Sequence, residues 1–334
     1  MKKLFLSLAI ISVMLTSCMS DNAGVNILGK RVTFTIGVNV PELATRSGET
    51  GMDSGLGALD NFSADEWERY DLRYIIEVYE VVNGDVVLGS PIIPRITKTF
   101  DEYSDTRFNI RLAPNRDYRV VVWADFVAEG TNTDLHYNTA DLKAITRTSA
   151  AVAMDECQDA YFIQKDIHVG NKKFSDNLVL RRPFGKIRVI TTDYNEVNIG
   201  ATPSKVEVTF YNHTLYTELN AITGIASGET INEYTYTVSK GAPYSAGYDA
   251  EEQNMTLFAD YILTGDNGAQ EVKFTLKVWG EDGRFVNSQD FNTMIPLGRN
   301  QLTTIMGNLL TCQSLFEVSV DDNMSGEFFP DIEE

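Results

Sequence analysis

The chain has 334 residues, 43% hydrophobic and 22% charged, enough for two ordinary globular domains with a sizeable core in each. Its formal net charge of −19 repels phosphate backbones and argues against nucleic-acid binding. Fifteen Tyr and seventeen Phe, many in runs rich in Val, Ile and Thr, tilt the expectation toward strands.

Lys2 and Lys3 form a short basic head before the apolar run LFLSLAIISVML, which is too short for a comfortable membrane span. The run ends in Leu15-Thr16-Ser17-Cys18, an order that resembles the bacterial lipobox. That resemblance implies cleavage of a signal peptide (1–17) before Cys18, diacylglycerol on its thiol and an acylated new N-terminus. A plain signal peptide ending near a cysteine is the alternative. Several acyl chains hold a protein firmly to a bilayer, and no later stretch is long and apolar enough to span it. Loss of Lys2 and Lys3 takes the net charge from −19 to −21. Cys157 and Cys312 then remain, too few for a disulfide framework. They read as separate buried thiols, with a bridge between the two halves as the alternative.

Residues 18–30 read as a polar tether. RVTFTIGVNV then places Val32, Phe34, Ile36, Val38 and Val40 on one face of a half-buried strand closed by Pro41. From Glu42 to about Glu66 the chain reads as loop, with Gly48, Gly51, Gly55 and Gly57. Arg46 opens this segment among small polar residues, a context that proteases favour.

Strands resume at DLRYIIEVYEVV, where Leu72, Tyr74, Ile76 and Val78 share a face, and Asn83-Gly84-Asp85 signals a hairpin. RITKTF, RFNIRL and DYRVVVWADF follow, with a turn at Pro114-Asn115. NTADLKAIT is expected to form one short helix, capped by Thr139, with Leu142 and Ile145 on one side. DAYFIQKDIHV and NLVLRRPFGKIRVITTDY return to strand patterns. Arg181-Arg182-Pro183 interrupts the last run, because proline removes a ladder donor. The boundary is placed there: an N-terminal sandwich over 31–182 and a C-terminal one over 183–320. KVEVTFY, NEYTYTV, MTLFADYIL, EVKFTLKVWG, FVNSQDFNTMIPL, QLTTIMGNLL and SLFEVSV fill the second half, and 321–334 is an acidic tail. The expected fold is all-β: two tandem antiparallel β-sandwiches and one short helix. A faint internal echo offers two exclusive registers, Trp123-Ala124-Asp125-Phe126 with Phe258-Ala259-Asp260-Tyr261, or Val122-Trp123 with Val278-Trp279.

Motifs for chemistry are scarce. His136, His168 and His213 lack H-E-x-x-H spacing and read as solvent or strand-face residues. No nucleophile elbow, P-loop or dinucleotide-binding glycine pattern is present, and the surroundings of Cys157 do not favour a Cys–His pair. Abundant Asp and Glu guarantee some close carboxylates, a poor signal for a glycosidase. The acidic tail lacks the spacing of a calcium loop. No enzyme, metal or cofactor is expected. Of the tryptophans, Trp123 and Trp279 lie in strand patterns and read as core, while Trp67 in SADEWERYD is the better candidate for exposure.

The order of features resembles the fimbrillin-like surface lipoproteins of Bacteroides-type bacteria, major and minor fimbrial subunits among them. The lipobox Cys18 and alternating strand precede a loop opening with ATRSG; YRVVVWADF, LKAI, LVLRRPFGKIRVI and IPLGRNQLTTIMGNLLT follow. The resemblance implies two transthyretin-like sandwiches and a lipid-anchored protein at the outer-membrane surface. It also implies a mechanism. A trypsin-like protease cuts after Arg46, the strand 31–40 leaves, and a strand from another subunit or a second copy fills the groove. The donor would be SLFEVSV, in which Phe316, Val318 and Val320 alternate with Leu315, Glu317 and Ser319. An anchor or a non-polymerising relative would keep the first strand and the lipid. A carbohydrate-binding outer-membrane lipoprotein is the alternative function, with a host or glycan ligand.

Overall fold

The structure is a computed structural model and describes residues 31–40, 68–102, 104–196, 203–211, 215–228, 233–239, 248–249, 254–265, 270–311 and 316–322. The signal peptide, the tether, the Arg46 loop and residues 323–334 lie outside the described residues.

The first ten strands are β1 (Val32–Asn39), β2 (Tyr70–Val82), β3 (Asp85–Val86), β4 (Ile93–Phe100), β5 (Thr106–Leu112), β6 (Arg116–Ala128), β7 (Tyr137–Asn138), β8 (Ile145–Arg147), β9 (Ala160–Val169) and β10 (Phe174–Val179). They are followed by β11 (Phe184–Thr191), β12 (Pro203–Tyr211), β13 (Glu218–Asn220), β14 (Ile225–Ser227), β15 (Glu233–Ser239) and β16 (Tyr248–Asp249). The last are β17 (Asn254–Leu263), β18 (Gln270–Gly280), β19 (Phe285–Leu297), β20 (Leu302–Gly307) and β21 (Phe316–Asp321).

Two sandwiches result. In the first, a sheet of order β10-β1-β5 faces one of order β3-β2-β6-β9, with β4 also paired to β2. Their shared core holds Phe34, Ile36, Tyr74, Ile76, Val120 and Val122. In the second, a sheet of order β16-β17-β11-β20-β21 faces β15-β12-β18-β19 around Ile187, Val206, Phe258, Phe274 and Phe291. Local chemistry explains the connections. Asn83 and Gly84 both have positive φ (56° and 88°), the geometry of a tight two-residue hairpin between β2 and β3. Asn115, with φ 57°, turns β5 into β6.

The ladders are not purely antiparallel. β1 pairs with β10 in parallel and β11 pairs with β20 in parallel. Short strands at hairpin spacing suggest antiparallel neighbours, but the chain crosses between facing sheets before it returns beside the first strand. The arrangement repeats. β1 lies between β10 and β5 as β11 lies between β20 and β17, and β4-β2-β6-β9 is matched by β15-β12-β18-β19. This match sets β6 against β18 and selects the Val122-Trp123 with Val278-Trp279 register of the internal echo.

A third sheet joins the halves. Its order is β14-β13-β8-β7, with Leu219 paired to Ile145 and Glu218 to Thr146. The expected helix at NTADLKAIT is therefore incorrect: the segment is strand, turn and strand. Thr139 does not cap a helix; its hydroxyl and N–H both donate to Asp134, at 2.7 and 2.8 Å. Among the described residues the only helical pieces are single 3-10 turns at Glu156–Gln158 and Tyr194–Glu196. Leu142 and Ile145 instead join Trp123, Phe184, Leu219 and Tyr261 in a cluster between the sandwiches. This cover explains why β2 is buried on both faces, with Ile75 and Tyr79 turned toward the third sheet and Leu72, Tyr74, Ile76 and Val78 toward the sandwich core.

Candidate functional site

β1 is the centre of its three-stranded sheet, not an edge. Residues Val32 to Val38 pair with Leu112 to Thr106 of β5, and Phe34 to Asn39 pair with Phe174 to Val179 of β10. The N–H of Leu180 continues the parallel ladder by donating to the carbonyl of Asn39 at 3.0 Å. The period-two pattern sends Val32, Phe34, Ile36, Val38 and Val40 inward, and all five are buried. The Phe34 ring stacks on Phe174, 4.9 Å between centroids and 9° from parallel. Burial of each such side chain contributes about 1.5–3 kcal/mol, so an empty β1 groove would expose a continuous apolar trough with two unpaired backbone edges.

β21 sits at the opposite extreme. It pairs only with β20, at the edge of its sheet, among the described residues. Phe316 reaches the second core and meets Phe291 edge-on at 4.9 Å. Val318 and Val320, expected to continue an apolar face, are 39% and 40% exposed. Leu315, Cys18, Arg46, Trp67, His213 and Cys312 lie outside the described residues.

The tryptophans part company. Trp123 is fully buried, edge-on to Tyr137 at 5.3 Å beneath the third sheet. Trp279 is not core: it is half-buried on the uncovered face of β18, with Lys205 Nζ 4.4 Å above its ring and the exposed Phe285 at 6.0 Å.

His136 is buried too, against the expectation of a solvent or strand-face residue. Its Nε2 lies 3.3 Å from Asp155, and the N–H of Cys157 donates to the same carboxylate at 2.9 Å. Burial works against ionisation of Asp155, but the hydrogen bond and charge of His136 and the Cys157 contacts hold its carboxyl below the usual range. Burial, with the neighbouring Cys157 and Asp155, pushes the Tyr70 hydroxyl up to about 12. Cys157 is buried. His168, by contrast, is exposed beside Asp117 at 2.7 Å.

The buried carboxylates are engaged structurally. Asp125 accepts from Arg73 at 2.6 and 2.8 Å, and Asp159 accepts from Arg182 and Tyr161. Asp193 accepts from the N–H groups of Leu310 and Thr311. Each buried charge thus has a donor that suits a structural role better than proton transfer. Among the described residues no group of three or more His, Cys, Asp or Glu side chains is placed to hold a metal, and no helix is long and apolar enough to cross a membrane.

Solved structures of related shape come from Bacteroides and Porphyromonas species. A proposed cell adhesion protein from Bacteroides ovatus aligns at TM-score 0.44 and 17% identity, over 88% of this chain and 98% of its own. A structure described as a proposed polysaccharide-binding protein from Bacteroides thetaiotaomicron aligns at 0.46 and 9%, over 87% and 96%. The fimbrial anchor protein Mfa2 of Porphyromonas gingivalis aligns at 0.38 and 11%, over 82% and 90%. Scores and identities this low assign no role. No curated protein matches the chain. Residues 25–333 match the profile of the family of unknown function DUF6562, and the chain belongs to that family.

Proposed function

We propose that this protein is a non-enzymatic, lipid-anchored component of the bacterial cell surface, of fimbrial or adhesion type, whose sandwiches are transthyretin-like. In this reading Cys18 carries the lipid in the outer membrane, and cleavage after Arg46 frees β1. A strand from another subunit or a second copy then takes its place. The observation that carries the reading is the position of β1: a central strand, covalently tied to the body only through the segment that contains Arg46. Such a strand is held by its contacts and not by its place in the chain, so one cut makes it exchangeable. β21 supports the donor role, because it lies at an edge and leaves Val318 and Val320 free to fill another apolar trough.

The test uses protein recovered from the native cell surface. Its N-terminus is determined by mass spectrometry and its assembly state on an unboiled gel. A start at Ser47 with a ladder of oligomers supports strand exchange. A lipidated Cys18 with a single monomer band overturns it and leaves an anchor, a tip or a glycan-binding lipoprotein.

One observation favours a second reading, carbohydrate binding. Trp279 and Phe285 present aromatic surface on a sheet face that the third sheet does not cover. Glycan-array binding that is lost in Trp279→Ala would establish it.

A further inference from the structure

Val82, Val87, Leu88 and Ile92 are 42–53% exposed, four large apolar side chains within one short segment of the first sandwich. The stretch Val86 to Pro94, VVLGSPIIP, holds no charged residue in a chain whose net charge is −19. The fold turns this stretch outward. The N–H of Val87 donates to the Glu80 carbonyl at 2.9 Å, and that of Ile92 to the Val78 carbonyl at 2.8 Å. Leu88-Gly89-Ser90-Pro91 therefore loops out from the edge of β2 between the two bonds. Apolar side chains gathered on one exposed loop mark a contact surface, because each would gain from leaving water.

Three observations name the occupant. The first is where the chain enters the sandwich. Arg31 precedes Val32, whose cross-strand partner is Leu112. Leu112, Ile92 and Ile93 border one cavity of about 160 Å³, so β1 begins beside the exposed loop. The second is the length of chain before β1. Residues 19–30 separate Cys18 from Arg31, and an extended chain of that length spans at most about 45 Å. A lipid on Cys18 thus keeps this end of the sandwich, with its apolar loop, near the bilayer. The third is charge. Lys172 and Lys173 are exposed in the turn between β9 and β10 at this end, where Phe174 pairs with Phe34. With Arg31, Arg111 and Arg116 they outnumber Glu80, Asp85 and Asp117. The far end, where Tyr70 pairs with Ala128 and Leu72 with Phe100, is acidic: Glu68, Asp71, Asp101, Glu102, Asp105 and Glu129 stand there against Arg69 and Arg107. An acidic protein that turns an apolar loop and its basic end the same way is oriented for a lipid surface with phosphate head groups.

We propose that this end of the first sandwich is a membrane-docking face. Val87, Leu88 and Ile92 enter the interfacial layer of the bilayer that holds Cys18, and the basic rim adds a diffuse attraction to its phosphates. The inference rests on the lipid anchor of the proposed function, and it applies while β1 remains joined to the body.

The test is hydrogen exchange followed by mass spectrometry on the mature chain, with a hexahistidine tag in place of the Cys18 lipid. The tag holds the protein on vesicles of phosphatidylcholine, phosphatidylglycerol and a nickel-chelating lipid. A short tether supplies a millimolar effective concentration, so a docking constant on the order of 10³ M⁻¹ occupies about half the molecules and slows exchange about twofold. Peptides covering 82–92 should show that slowing on vesicles relative to solution. Peptides around Ile225, equally exposed on the third sheet, should not. Val87→Ser/Leu88→Ser should melt as the parent does, since both side chains are exposed, and should lose the slowing. Exchange at 82–92 that is unchanged on the membrane overturns the proposal, as does equal slowing in the double variant. Slowing that grows with protein concentration in solution and is no greater on vesicles names a second copy as the occupant and also overturns it. Because the tag replaces the lipid, the two readings fail separately. Docking by the tagged chain together with an unmodified Cys18 on native protein would remove the anchor and leave the face. A lipidated Cys18 without slowing at 82–92 would remove the face alone.

Discussion

Arg147 holds Asp260 with two hydrogen bonds, from Nη2 to Oδ1 at 3.0 Å and from Nη1 to Oδ2 at 3.2 Å. Arg147 belongs to β8 in the third sheet, and Asp260 to β17 in the second sandwich. The pair therefore ties the two halves together at a fully buried carboxylate, with Gln158 Nε2 adding a third donor at 3.0 Å. Removing one partner of a buried pair leaves an uncompensated charge. Arg147→Met is expected to cost about 3 kcal/mol in urea denaturation. Arg147→Met/Asp260→Asn should cost less than the sum of the single variants. Strict additivity would show that the pair is not coupled.

Trp123 and Trp279 occupy matching places in the two sandwiches but differ in cover. Trp123→Ala opens a cavity under the third sheet and is expected to cost about 3–5 kcal/mol. Trp279→Ala removes a contact with Lys205 at the surface and should cost about 1 kcal/mol. Denaturation midpoints of the two variants check this. Similar losses would mean that the outer face of β18 is packed as tightly as that of β6.

Gly185 in β11 admits no side chain. A Cβ there would stand 2.7 Å from the carbonyl oxygen of Gly298 and would run into the Leu297 side chain. Leucine can shift, but the backbone oxygen is held in the turn that leads into β20. Gly185→Ala is expected to destabilise by about 1–3 kcal/mol through overpacking. A melting temperature equal to the parent's would refute the close approach.

Acid should loosen the first sandwich through Asp134. Burial opposes ionisation of this carboxyl, but Thr139 hydrogen bonds and the Arg73 charge outweigh it and hold its pKa below the usual value. A group with a depressed folded pKa contributes stability above its unfolded pKa of about 3.9 and loses it as pH falls through the folded value. Asp134→Asn should therefore melt lower than the parent at pH 6, and the two melting curves should converge toward pH 3. A constant gap across that range would exclude the linkage.

Much of this architecture is legible in residue order, and the exceptions have physical causes. The alternation in RVTFTIGVNV announces β1 and the burial of its five inward residues, because one face of a strand repeats every second residue. Asn83-Gly84 announces its hairpin because few other pairs accept positive φ twice. The third sheet is hidden: Thr139, Leu142 and Ile145 have helical spacing, yet the same spacing arises when two short strands flank a turn. Without that sheet, the fate of the tryptophans cannot be read. Parity correctly turns Val122 and Val278 inward and both tryptophans outward, but only a nonlocal cover decides which of them is buried. The same holds for Val318 and Val320, whose exposure follows from the edge position of β21.

The parallel partnership of β1 with β10 also governs when the first sandwich can form. Phe34 waits for Phe174, 140 residues later, before its ladder is complete. During vectorial synthesis or export, β1 emerges first and is secured last. Contacts this distant in sequence slow folding, because loop closure precedes the gain from burial. A nascent chain stalled before residue 174 carries an apolar strand with one open edge, ready to pair with whatever strand arrives first.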